Sequence, residues 1–158
     1  MAVAEIVTAP ATKDPTREAR MHALLGGAKV LRRRALSLLE LHAAAEKGLS
    51  VMVVDALSRN LHASREELLS ALSLSGRTLS RRQSEGVLSP EESDRAMRLA
   101  RVAAQAEETL GGRMEAVAWL HAANRSLGGH APLELVRTDA GAELVVDVLG
   151  RLEHGVFG

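Results

Sequence analysis

Apolar residues recur three and four positions apart along most of this chain, the period of a helix that buries one face. From about Ala28 to Glu46, Val30, Leu31, Ala35, Leu38, Leu39 and His42 trace one stripe, and Gly48 sits where a left-handed cap ends a helix. Ser50 is placed to cap a second helix carrying Val53, Val54, Leu57 and Leu61; the β-branched start at Val51 suits a strand, but the leucine spacing that follows favours the helix. Ser64 with Glu67 makes a capping box ahead of Leu68, Leu69 and Leu72, residues 73–76 break the pattern, and residues 77–84 resume it with Leu79 inward. Ser89, Pro90 and Glu92 combine cap, first-turn proline and acidic third position, opening a helix of about twenty residues through Met97, Leu99, Val102, Ala103, Ala106 and Leu110 to the stop at Gly111 and Gly112. The rear of the chain reads as helix, turn, short helix and long helix. Met114, Val117, Ala118 and Leu120 form the first apolar face, Asn124, Gly128 and Gly129 end it, and Pro132 opens the short helix. Thr138 or Asp139 caps the last, which carries Leu144, Val145, Val148, Leu149 and Leu152 and ends at Gly155.

The reading is all-α. A flexible arm is expected over residues 1–22, where Pro10 and Pro15 interrupt any helix and periodicity is absent. A helix-turn-helix domain is expected over 23–110 and a small helical domain over 111–158. With no Ser/Gly-rich or Pro-rich spacer between the halves, the long helix is expected to pack against both and make them move together.

Composition narrows the chemistry. The chain holds no cysteine, which excludes disulfides, thiolate metal sites and thiol nucleophiles and suits a cytoplasmic protein. It shows neither a membrane-spanning run nor a signal segment, so no membrane is expected. The six histidines never fall at i, i+4, and no phosphate loop or nucleophile elbow is present. Glu91 with Glu92 and Glu107 with Glu108 diverge on their helices and read as solvated carboxylates. No enzymatic activity and no cofactor or metal is expected. The net charge of +0 hides an asymmetry: residues 1–104 hold 16 Lys/Arg against 12 Asp/Glu, and the remainder 4 against 8. At 1% aromatic residues, stacking on single strands is unsupported, and any nucleic acid partner is expected to be duplex.

Two short helices joined by a turn, at Ser64 to Gly86, are the arrangement whose second helix enters a major groove. With Leu79 inward, Arg77, Ser80, Arg81 and Ser84 fall on the opposite side and Arg82 on the flank. Together with Thr78 they form the candidate DNA-contact set, arginine being able to pair with guanine through two hydrogen bonds. The dense run Arg32, Arg33 and Arg34 fits a solvated face, a phosphate contact or a subunit contact.

The rear pattern WL..AN..LGG..PLEL..TDAG.ELV...L.R...G, from Trp119 to Gly155, resembles the toxin-binding domain of the Xre/MbcA/ParS antitoxins, and RTLSRR followed by LSPEESDR resembles that family's DNA-binding domain. The resemblance implies an antitoxin that neutralises a RES-type, NAD-consuming toxin and represses its own operon at duplex operator DNA. A homodimer or a toxin–antitoxin hetero-oligomer is expected, with dimerisation through residues 28–61. The toxin-contact set expected here is Trp119, Asn124, Leu127, Gly128, Gly129, Pro132, Leu133, Gly155, Val156 and Phe157. Within it the turn from Leu127 to Leu133 leads, because its glycines bring backbone close to whatever docks; Trp119 fits either core or interface. Val156 and Phe157 are expected to reach the toxin's nucleotide cleft or to pack back on their own domain. The alternatives are a stand-alone transcription regulator whose rear half dimerises or senses another protein, and an interaction protein that has lost DNA binding.

Overall fold

A computed structural model describes residues 13–34 and 36–155, and within them the chain is all-helical apart from one isolated bridge between Ser50 and Val87. The helices are α1 (Arg17–Leu24), α2 (Gly27–Leu31), α3 (Leu38–Lys47), α4 (Met52–Leu61), α5 (Arg65–Ala71), α6 (Gly76–Glu85), α7 (Pro90–Leu110), α8 (Arg113–His121), α9 (Pro132–Leu135) and α10 (Asp139–Glu153), with a 3-10 turn at Arg125–Leu127. α7 is the spine. Its Ala96, Ala100, Ala103, Ala104 and Ala106 are all fully enclosed, as are Leu99 and Val102, so the helix is apolar nearly all round and buried like an interior helix. Alanine's small volume lets α1, α3 and α4 approach it from the front and α8 and α10 from the rear. The two halves therefore share one core, as expected from the missing spacer. No helix among the described residues is long and apolar enough to cross a membrane.

Three expectations are corrected. The flexible arm does not extend to residue 22: α1 begins at Arg17, capped by the Thr16 hydroxyl, which accepts from Ala19 N–H at 3.1 Å, and it buries Met21, Leu24 and Leu25. Pro15 lies just outside the cap, so it precedes the helix instead of breaking it. The single stripe over 28–46 is two helices. Arg32 turns the chain through the left-handed region (φ 58°), and Ser37 restarts it with a capping box to Glu40. Finally, α8 buries Ala116 and Leu120 and leaves Met114 83% exposed. Apolar residues lie on every side of that helix, so periodicity did not distinguish its inner face.

The rear domain closes on glycine. Thr138 caps α10 by accepting from Gly141 N–H at 3.0 Å, and this first turn presses on the end of α9. A Cβ on Gly141 would overlap the Leu135 carbonyl oxygen, backbone that cannot swing aside, whereas Gly150 in the same helix has open space. The two positions therefore respond oppositely to alanine. Gly141→Ala is expected to cost about 1–3 kcal/mol through overpacking. Gly150→Ala is expected to stabilise by about 0.5–1 kcal/mol through helix propensity. Thermal melts of both variants check the pair.

Candidate functional site: a bracketed helix-turn-helix and a loop closed by Asn124

Residues 65–85 form the helix-turn-helix. α5 starts in the expected Ser64/Glu67 capping box and ends through Ser73, a non-glycine residue at φ 50°. Leu74 N–H then donates back to Leu69 O at 2.9 Å and Ser73 N–H to Ser70 O at 3.1 Å, so the turn satisfies the carbonyls the helix end exposes. Leu72 and Leu74 bury on either side of it. α6 begins at Ser75, whose hydroxyl accepts from Thr78 N–H at 3.0 Å and bonds the Thr78 hydroxyl at 2.9 Å. Leu79 points into the core, and Arg77, Ser80, Arg81 and Ser84 share the exposed side, as the helical spacing requires. Thr78 is half-buried and drawn into the cap.

The stretch from Ser89 to Arg98 brackets this motif. Ser89 caps α7, Ser93 Oγ accepts from Leu49 N–H at 2.8 Å, and Arg95 Nη1 reaches the turn carbonyls of Leu72 and Ser73 at 3.5 and 3.4 Å. One turn further on, Arg98 faces the rear domain, pairing with Asp139 at 2.7 Å and donating to Arg137 O at 3.3 Å. Sequence reasoning saw the cap at Ser89 but missed Ser93, Arg95 and Arg98, because their partners lie 22 to 44 residues away and leave no local pattern.

In the rear half, Asn124 closes a loop. Its side chain accepts from Ser126 N–H at 2.9 Å, its N–H donates to His130 O at 3.0 Å, and its carbonyl accepts from Gly129 N–H at 2.9 Å. Gly128 (φ 67°) and Gly129 (φ 86°) make the left-handed turn and stand exposed. Leu127, Pro132 and Leu133 are buried, so these three members of the expected contact set hold the domain together instead of facing out. α9, which carries Leu133, packs on α5 of the helix-turn-helix. Trp119 is half-buried and packs against the core. Gly155 is exposed after α10, and Val156 and Phe157 lie outside the described residues. Exposed Met114 and Leu144 are apolar surface the sequence had assigned inward.

Two pairs of carboxylates expected to be solvated each contain a buried member. Glu107 is enclosed, accepting from Arg113 Nε at 2.7 Å and facing Arg20 Nη1 at 3.2 Å. Arg113 also donates to Asn60 Oδ1 at 3.3 Å, and Asn60 donates to Leu24 O at 3.0 Å, so one polar knot ties α1, α4, α7 and α8. Glu92 is likewise buried and grips Arg82 through two bonds, Nε to Oε2 at 2.7 Å and Nη2 to Oε1 at 3.0 Å, while Glu85 takes Nη1 at 2.8 Å. Arg82 is only 18% exposed and is turned away from the DNA-contact set, binding α6 to α7. Burial pushes the Glu92 carboxyl upward, but Arg82 and the Ser89 N–H outweigh it and hold it below its ordinary value of 4.5; the same pairing raises Arg82. A depressed carboxyl stabilises the fold above that ordinary value, and its contribution is lost as pH falls through the folded-state value below 4.5. Glu92→Gln keeps an acceptor for the cap but loses the charge. It is expected to lower stability at pH 7 by about 2 kcal/mol. Urea melts between pH 7 and pH 3 should show the gap to wild type closing as the pH falls.

Comparison with known proteins agrees with this two-part geometry. The model of the antitoxin Xre-like helix-turn-helix domain matches residues 40–101, and that of the antitoxin Xre/MbcA/ParS C-terminal toxin-binding domain matches residues 105–155. Antitoxin Xre of Yersinia enterocolitica is 38% identical over 112 residues, covering 70% of this chain and 76% of the relative. Antitoxin Xre of Photorhabdus laumondii is 31% identical over 118 residues, covering 73% and 80%. The bracketed helix-turn-helix in front, the Asn124 loop and glycine-closed helices behind, and relatives spanning both place the chain in one family: it belongs to the Xre antitoxins.

Proposed function

We propose that this antitoxin binds duplex operator DNA through α6, represses its own operon, and silences a RES-type, NAD-consuming toxin through its rear domain. The observation that carries the DNA reading is the single exposed side of α6, where Arg77, Ser80, Arg81 and Ser84 stand together. Among the described residues Arg81 is paired only with Glu85, at 3.9 Å and with 62% of its side chain exposed, a surface pair that a phosphate or guanine edge can displace. Arg77 sits beside the N-terminus of α6, where backbone N–H groups favour an anion. The toxin reading is supported by the exposed backbone at Gly128 and Gly129, held rigid by Asn124, with Trp119 as a half-buried apolar neighbour in the same domain. A homodimer presents two α6 helices about one DNA turn apart. α3 supports the subunit contact, since it leaves Leu38 and Leu39 exposed by 53% and 76%.

Arg77→Ala with Arg81→Ala is expected to weaken operator binding by at least tenfold, at about 1–3 kcal/mol for each lost base pairing. Growth rescue and recovery of cellular NAD on co-expression with the neighbouring toxin are expected to be unchanged, because among the described residues neither arginine has a hydrogen bond or ion pair to the rear domain. Gel shifts and NAD assays read the two arms separately. Unchanged operator affinity overturns the DNA reading; a toxin that leaves NAD intact overturns the RES reading.

A further inference from the structure

The basic run at residues 32–34 lies ahead of both matched family segments, yet the fold carries it to the far end of the recognition helix. Val30 and Leu36 are buried on either side of the run and anchor it. Between them Arg32 takes the left-handed conformation, and His22 Nε2 lies 2.6 Å from the Arg33 carbonyl, so the turn is held while its three arginines stay exposed. Arg32 and Arg33 line a groove of about 430 Å³ together with Lys47, Gly48, Ser50, Gly86 and Val87. Gly86 caps α6, and Val87 follows it.

That groove is rigidly tied to α6. Val51 N–H donates to Gly86 O at 3.0 Å and Leu88 N–H to Leu49 O at 2.9 Å, and a Cβ on Gly48 would meet the Leu88 carbonyl. Arg33 has Glu40 at 3.8 Å in an exposed pair, and Arg32 and Arg34 have no ion-pair partner among the described residues. Ten helical residues span about 15 Å, comparable to the roughly 12 Å width of the major groove. A recognition helix that meets base edges with its N-terminal residues leaves its C-terminal end, and the basic turn beside it, on the side of the flanking phosphates.

We propose that the Arg32–Arg34 turn is a second contact to duplex DNA, a phosphate-backbone clamp flanking the helix that reads base edges. The assignment rests on the DNA-binding reading of α6 and adds a non-reading site to it. A phosphate contact raises affinity on every sequence alike and steepens the salt dependence, whereas a base contact changes discrimination.

The test compares the full-length wild type with an Arg32→Asn, Arg33→Ser, Arg34→Ser variant; asparagine tolerates the left-handed conformation at position 32. Affinities for an operator duplex and an unrelated duplex are measured from 50 to 200 mM salt. The clamp predicts that the variant loses affinity for both duplexes by the same factor. It also predicts a log–log salt slope shallower by about 0.9 per contacting arginine, or about 2.7 for three. Over that salt range the wild type then loses about 40-fold more affinity than the variant. Light scattering and toxin neutralisation are expected to match wild type. An unchanged slope with operator bound overturns the clamp while leaving the α6 reading intact, and a defect confined to self-association or toxin neutralisation overturns it in favour of a protein contact. A wild type that binds neither duplex overturns the α6 reading and the clamp with it.

Discussion

Everything in this molecule depends on one helix having no room around it. α7 turns small alanine side chains toward its neighbours, and on that narrow axis the front and rear helices meet at close range. Because the core is continuous across the axis, the orientation of the helix-turn-helix and that of the rear loop follow from the same packing. The polar and charged positions of α7 then act at specific heights: Glu92, Ser93 and Arg95 hold the front, Arg98 and Glu107 the rear and the junction.

Buried charge is used here for orientation. Glu92 is costly to bury, and what offsets that cost is Arg82, a residue of the recognition helix itself. An arginine that looks available to DNA in the sequence is thereby given to fixing how α6 lies on its scaffold. The Glu107 knot does comparable work at the other end, collecting Arg20, Arg113 and Asn60 from helices far apart in sequence.

Much of this was legible in the residues, and the limits are physical. Capping boxes at Ser64 and Ser89 marked helix starts because their bonds are local, and the leucine spacing of α5 and α6 sufficed to orient Leu79. The Asn-Gly-Gly-Pro-Gly pattern of the rear half was recognisable too, but most of it is scaffold: Asn124 ties the loop, Pro132 and Leu133 fill the core, and Gly141 permits close approach. What escaped was set by tertiary packing. The start of α1 was hidden by a proline read as a breaker, the inner face of α8 by apolar residues all round, and the roles of Arg82 and Arg95 by partners in other elements.

The contact of α9 with α5 carries a consequence for how such proteins diversify. Leu133 belongs to the rear half by chain position, yet it packs beside the first helix of the reading motif, whose Glu66, Glu67 and Ser70 border the same hollow. A rear half transplanted from a relative would bring its own α9 onto a foreign α5, leaving a void or a clash at the seam. The two halves are thus coupled at this seam, and a change of volume in α9 has to be matched by one in α5.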